Sequence, residues 1–452
     1  MRQNYEKQMP IIESVSSDHP EAKELDAISV IIENNLSICD YILQDLNKGK
    51  LIKSNTGARG MTAEQVFRAA VVKHKYGFTY EDLAFHISDS DALRKFCRID
   101  KKGFKKSTLQ KNIKAISEQT WQAILEAILG YAKDEGIEKG RKVRFDCTAV
   151  ESNIHEPFDN VQLWDCVRVL TRLLNLAKVD FGAKINFTDH QRVARKTMNS
   201  IRNAKQAKKR NKDYEKLIKT TRKVLKYAKN AKDILESMSC PDIRIIGLIA
   251  EIEHYATLTE KVINQTERRV IHGEKVPASE KIVSIFEEHT DIIKKDNRDD
   301  YYGHKILLAG GASNLILDCK VLEGNPADVT LVEEALDRQN ELYGRYPLKV
   351  ALDGGFASKA NLEIAKSKEG IKDVCFSKKR GMDEADMCRS NYVYKKLWRF
   401  RAGIESGISW LKRCFGLTRC TWKGFESFKC YVLSSVVAAN LVTLARKKLA
   451  TT

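Results

Sequence analysis

From Pro20 to about Leu46 apolar residues recur at helical spacing, and a loop holding Asn55, Gly57 and Gly60 follows. Three helix starts come next. Thr62 with Gln65 and Ser107 with Gln110 fit the capping box, and Thr79 with Asp82 is its carboxylate version. Between them DALRKFCRI (91–99) predicts a further short helix. Short helices joined by tight turns form a helix-turn-helix pattern, within a helical N-terminal region spanning 1–140. Its last helix, KSTLQKNIKAI (106–116), turns Lys106, Gln110, Lys111 and Lys114 outward. That face suits a recognition helix in a major groove, or the solvated side of a plain helical bundle.

The period changes from about four to two at KVRFDC (142–147). Val143, Phe145 and Cys147 alternate with Arg144 and Asp146, so Asp146 sits on the face of a strand opposite the apolar residues. Helical spacing returns at LWDCVRVLTRLLNLA (163–177) and continues to about Gln265. From about Asp300, strands alternate with helices. HKILLAG (304–310) and LILDCKVL (315–322) predict a hairpin, and a helix follows over about 327–342. LKVAL (348–352) runs into Asp353-Gly354-Gly355, then come a helical ASKANLEIAKSK and the strand IKDVCF (371–376). A long helix over about 393–413 and an apolar one close the chain. The pattern predicts an α/β fold, a mixed sheet with helices packed on it. VLSSVVAANLVTLA (432–445) is shorter than the roughly 20 residues of a membrane span and reads as a core helix.

Composition narrows the class. The 452 residues are 43% hydrophobic and 31% charged, as in globular chains, and carry a formal net charge of +18. Such basicity favours a polyanionic partner, nucleic acid before membrane. Most of the excess lies between Arg192 and Lys232, with sixteen Lys and Arg against Asp213 and Glu215. Tyr214, Leu217, Ile218, Val224, Leu225 and Tyr227 keep helical spacing there, which predicts a basic helical insertion over 156–290. A charge run is usually a solvated face. This density favours phosphate-backbone contact through residues such as Lys208, Lys209, Arg210 and Lys212. Eleven cysteines without a CxxC pair predict reduced, buried thiols, and the start shows no secretory signal, so a cytoplasmic location is expected. Neither GxGxxG nor a P-loop occurs, which argues against a dinucleotide or NTP machine.

Three acids stand out. Asp146 lies on the first strand, and Asp353 ends a buried one, where ligand sites gather in open α/β sheets, although DGG is also a plain turn. In WRFRAGIESGISWLK (398–412), Trp398, Arg401, Glu405 and Lys412 fall on one helix face. An exposed Arg401–Glu405 pair would contribute only a few tenths of a kcal/mol. With Ile404, Ile408, Trp410 and Leu411 in the same helix, a partly buried carboxylate flanked by cations is expected instead. Three carboxylates on separate elements suit two Mg²⁺ ions, which prefer hard oxygen ligands and clamp an in-line phosphoryl displacement.

Longer segments carry a resemblance, among them GMTAEQVFRAAVVKHKYGFTYEDLAFH, GRKVRFDCTAVESNIH, LDCKVLEGNPAD, DGGFASKANLE and FRAGIESGISWLKRCFGLTRCTW. Together they resemble DDE transposases of bacterial insertion sequences, similar to the ISNCY group and the wider set with a Tyr-x2-Arg-x3-Glu-x6-Lys signature. The resemblance implies an RNase H-like catalytic core over 141–155 and 291–452, interrupted by the basic insertion. It places the triad on Asp146, Asp353 and Glu405, and the signature Arg and Lys on Arg401 and Lys412. Trp398 replaces the signature Tyr, leaving base stacking or packing at that position. The implied function is a transposase using two Mg²⁺ ions, with Mn²⁺ as a substitute. It would bind transposon ends and target DNA as a homodimer or larger synaptic assembly, and cut and transfer strands. A transposase-derived DNA-binding protein without catalysis, and a metal-dependent nuclease without strand transfer, share most of these residues. His304 and Asp328 are weaker candidates for supporting the site.

Overall fold

The computed structural model describes residues 3–5, 18–49, 60–99, 103–238, 242–294 and 300–451, so Asn55 and Gly57 of the predicted loop lie outside it. The chain forms two compact units, one of 1–152 with 295–452 and one of 153–294.

The first unit begins with seven helices, α1 (Pro20–Glu33), α2 (Ile38–Asn47), α3 (Ala63–Tyr76), α4 (Tyr80–Asp89), α5 (Asp91–Cys97), α6 (Lys106–Ile113) and α7 (Glu118–Asp134). The run expected from Pro20 to Leu46 is thus broken in two. Side-chain amides of Asn34 and Asn35 donate to the Val30 and Ile31 carbonyls at 3.0 and 2.7 Å, satisfying the end of α1 and stopping it. Thr62 with Gln65 and Thr79 with Asp82 form complete capping boxes on α3 and α4. The box expected at Ser107 does not form. Lys105 is the N-cap of α6 and makes no side-chain cap, which leaves Ser107 inside the first turn.

Strand β1 (Lys142–Glu151) follows and leads to the second unit. That unit contains α8 (Asp159–Val179), α9 (Gln191–Asn203), α10 (Ala207–Glu236), α11 (Ile243–Thr266) and the short strand β2 (Asp291–Lys294). Its helices bury a core of their own, to which α10 contributes Tyr214, Leu217, Ile218, Val224 and Leu225. The opposite face of α10 carries its lysines and arginines into solvent.

Back in the first unit come β3 (Asp300–Gly310), β4 (Ile316–Val321), α12 (Val332–Tyr343), β5 (Lys349–Leu352), α13 (Lys359–Ser367), β6 (Asp373–Phe376), α14 (Glu384–Met387), α15 (Asn391–Cys414) and α16 (Phe425–Thr451). Five strands of this unit lie in the order β4-β3-β1-β5-β6. Strand β3 runs antiparallel to both β1 and β4, whereas β5 and β6 continue parallel to β1. The result is a mixed sheet flanked by helices. The hairpin forms because Gly311–Leu315 close a tight turn between β3 and β4.

The N-terminal helices, the sheet and α16 share one hydrophobic core. Helix α16 is long and apolar enough to cross a membrane, but 89% of its most apolar window is buried against the rest of the unit. A helix apolar on all sides belongs inside, and α1, α3 and α7 pack around it. All described cysteines are free, and all but Cys147 and Cys414 are buried.

Candidate active site

Parallel pairing of β1 with β5 sets Phe145 opposite Leu352. One residue further along each strand stand Asp146 and Asp353, so the register alone brings these two acids to neighbouring positions. Adjacent strands lie about 4.8 Å apart. Asp146 is half-buried, and the Cys147 amide donates to its Oδ1 at 2.8 Å.

The third element is laid onto this strand pair by a buried arginine. Arg144, 5% exposed, donates to the Phe400 carbonyl at 2.9 Å and to Asn314 Oδ1 at 2.7 Å, and its guanidinium stacks over the Phe400 ring. A Cβ at Gly403 would meet Arg144 Nη1 at 2.0 Å, so any side chain there would have to displace the Arg144 guanidinium. The alternation of β1 is therefore real, but its polar face is covered by α15 rather than by water. Two residues on from Arg144, Asp146 shares that face.

Arg401 closes the arrangement. Its Nη1 lies 3.1 Å from Asp353 Oδ1 and 2.8 Å from Glu405 Oε1. The i,i+4 pair foreseen within the helix exists, yet the same nitrogen also reaches the strand carboxylate. Burial is distributed differently from expectation. Glu405 is 57% exposed, and the guanidinium of Arg401 is the buried partner at 13%. Arg401 stays in the helix interior side by packing, while the carboxylate, one turn on, extends into solvent. Arg401 Nε is buried without a hydrogen-bond partner among the described residues.

Asp353 also accepts from the Ser377 hydroxyl at 2.9 Å, just beyond the end of β6. Burial pushes its pKa up, but the Gly354 amide, Ser377, Arg401 and Lys378 outweigh that and hold it below the ordinary carboxylate value. Asp353 is thus held in its ionised form. Among the described residues no three His, Cys, Asp or Glu side chains converge as a ready-made metal cage. The donor set nevertheless fits Mg²⁺ or Mn²⁺, being carboxylate oxygen throughout, with two acids in adjacent register and the third linked to them through one guanidinium.

The remaining sequence candidates are dispersed. Trp398 is 47% exposed on α15, two turns before Glu405. Lys412 is half-buried in the last turn, where the Thr418 hydroxyl donates to its carbonyl. Lys106, Gln110 and Lys111 are exposed on α6, and Lys106 pairs with Glu81 at 2.9 Å. Lys114 caps the end of α6 instead of continuing its face, with its ammonium 5.7 Å from the Trp422 ring. Lys208, Lys209, Arg210 and Lys212 are exposed in the first turns of α10 and have no ion pair among the described residues.

His304 is packed between Phe425 and Phe428, and Asp328 pairs with Lys305 at 3.0 Å while crowding the Cα of Gly355 in the DGG turn. Arg144 and Ser377 were not singled out from the sequence. Arg144 had left a trace, as a cation inside a strand two residues before Asp146.

Residues 273–441 match a family model, the transposase DDE domain. That stretch holds Asp353, Trp398, Arg401, Glu405 and Lys412, and Asp146 precedes it. This part of the chain is therefore similar to transposase DDE domains. No curated protein and no solved structure matches the chain.

Proposed function

We propose that this chain is a DDE transposase that binds insertion-sequence ends and catalyses strand cleavage and strand transfer. The observation carrying this reading is the bridge from Arg401 to Asp353 and Glu405, within a stretch similar to transposase DDE domains and beside Asp146 in adjacent strand register. The strand order, with an antiparallel three-strand half and a parallel extension, supports reading this sheet as an RNase H-like core.

Asp146, Asp353 and Glu405 would hold two Mg²⁺ ions, for which Mn²⁺ substitutes. When bound, the ions supply Lewis-acid stabilisation for an in-line displacement at phosphorus. Ser377 and the Gly354 amide keep the Asp353 carboxylate oriented and ionised. Arg401 neutralises the acids, and with Lys412 it positions the scissile phosphate. Trp398 offers an exposed ring for stacking. In cleavage, a water oxygen bonds to phosphorus as the 3′-oxygen leaves with a proton. In transfer, that 3′-hydroxyl attacks a target phosphodiester and displaces its 3′-oxygen, so one ester replaces another. Helix α6 reads end sequence through Gln110 and Lys111, α10 holds backbone phosphate, and a homodimer or larger assembly pairs the two ends.

Asp146→Asn, Asp353→Asn and Glu405→Gln should each abolish Mg²⁺-dependent cleavage and leave end binding near the parental level. Near-parental cleavage by any one variant would remove that residue from the triad. Strand transfer from pre-cleaved ends, absent in a plain nuclease, separates the two chemistries.

A further inference from the structure

A cavity of about 590 Å³ lies in the first unit between the end of α3, the start of α4 and the chain around 415–431. Its volume is that of a small-molecule site. Its lining includes Lys73, Lys114, Arg419 and Lys423 and contains no Asp or Glu.

Lys73 is the unusual member. It is 6% exposed, and among the described residues no carboxylate lies within ion-pair distance of it. Other buried cations of this unit have oxygen partners, although Arg144 Nε has none among the described residues. Arg68 pairs with Glu64 at 2.8 Å, Lys75 with Glu21 at 2.7 Å, and Arg144 donates to two oxygens. The Lys73 ammonium faces the rings of Tyr80 at 5.1 Å and Tyr431 at 5.9 Å. Burial pushes its pKa down to about 8. A desolvated cation kept without an acid calls for an anion from outside.

The walls specify what accompanies that anion. Phe78, Tyr80, Trp422 and Tyr431 surround the space. The Tyr80 hydroxyl and the Trp422 indole N–H are buried without hydrogen-bond partners among the described residues. Aromatic faces beside a cation are how single-stranded nucleic acid is held, base against ring and phosphate against charge.

The cavity is also tied to the strand that carries Asp146. Glu151, at the end of β1, donates to the Thr418 carbonyl at 3.1 Å and accepts from Cys420 at 2.8 Å, and its carboxylate pairs with Arg419. Five residues of strand from Asp146 to Glu151 span about 17 Å, a few nucleotides of DNA.

We propose that this cavity takes one unpaired nucleotide of the bound DNA strand, with its phosphate on Lys73 and its base among the four rings. The assignment of DNA as the source rests on the transposase reading, although the binding test does not depend on cleavage.

The full chain, held in EDTA, is titrated with a duplex whose short unpaired end contains 2-aminopurine. The fluorescence of that base should change on binding. Lys73→Met should weaken binding of this DNA about tenfold. The melting temperature should be equal or higher, because a desolvated charge is removed. A fully paired duplex should bind parent and variant alike. Should Lys73→Met melt early, Tyr80→Phe, which keeps the ring and removes only the hydroxyl, serves instead and should weaken the unpaired-end complex several-fold.

Equal affinity of parent and variant for the unpaired end, or a constant 2-aminopurine signal, overturns the proposal. So does a cavity that binds dAMP without competition from the oligonucleotide, which would make its ligand a free nucleotide. Asp353→Asn should keep the fluorescence response, so failure of the cleavage chemistry and failure of this site give different results.

Discussion

One guanidinium nitrogen holds Asp353 and Glu405, and the support behind that contact is as specific as the contact itself. Ser377, which donates to Asp353, directly follows β6, and β6 is fastened at its other end by Asp373. The Asp373 carboxylate is buried and accepts from the Arg389 amide at 3.1 Å, from Nε at 3.2 Å and from Nη2 at 2.9 Å. Burial pushes its pKa up, and the Arg389 hydrogen bonds outweigh this, so the folded-state value lies below the ordinary 3.8. A depressed folded pKa adds stability that is complete above the unfolded value and is lost as pH falls through the folded one. Acid below about pH 4 should therefore loosen β6. Arg389→Met removes the stabilising partner and raises the folded pKa, so the acid-unfolding midpoint should move to higher pH. Circular dichroism against pH measures this, and an unmoved midpoint would mean that the pair does not anchor β6.

Helix α15 has two glycines one turn apart whose surroundings differ. Gly403 sits against the Arg144 guanidinium, whereas a Cβ on Gly407 would meet nothing nearer than Ile316 Cδ1 at 4.0 Å. Gly407→Ala should stabilise by roughly 0.5–1 kcal/mol through helix propensity alone. Gly403→Ala gains the same propensity but displaces a buried, hydrogen-bonded arginine, an overpacking cost of about 1–3 kcal/mol. It should be neutral to destabilising in a thermal melt and should reduce cleavage, because Arg401 and Glu405 move with the helix. Equal melting of the two variants would show that Arg144 can step aside.

This contrast marks what was legible in the sequence. Strand β1, the hairpin, β5 and the long helix were visible because their periods are local. Asp353 was visible because a buried strand ends on it. The burial of Arg144 was not, since it depends on Phe400 and Gly403, more than 250 residues away. Lys73 has no local pattern to mark it, and its enclosure is completed by Trp422 and Tyr431 from the far end of the chain. The start of α6 was misplaced because burial of Leu109 and Ile113 fixes that helix, and Ser107 is one residue too late to cap it.

At the scale of the molecule, two cores and two compact units replace a single cooperative body. Unfolding should not be two-state. Leu217→Ala, at a fully buried site in the core of the second unit, should lower one thermal transition by about 2–5 kcal/mol and leave the other in place. A single transition shifting as a whole would contradict this.

The second unit also carries the charge surplus, and its form is informative. Further along α10 three of the cations are balanced, Arg222 by Glu267, Lys229 by Glu260 and Lys232 by Glu253. The first turns are not, for Lys208, Lys209, Arg210 and Lys212 stand exposed without an acid among the described residues. Each phosphate contact releases counterions, so log affinity for duplex DNA falls against log salt with a slope of about −0.9 per contact. Replacing all four with Gln should make the slope shallower by up to about 3.6 if each touches phosphate. Discrimination between cognate and scrambled ends should change little, because phosphate contacts position the duplex and base contacts specify it. Gln110→Ala on α6 should do the opposite, lowering discrimination and leaving the salt slope nearly unchanged. Binding both DNAs across a salt series measures the two effects together, and an unchanged slope in the fourfold variant would make this end of α10 a solvated face.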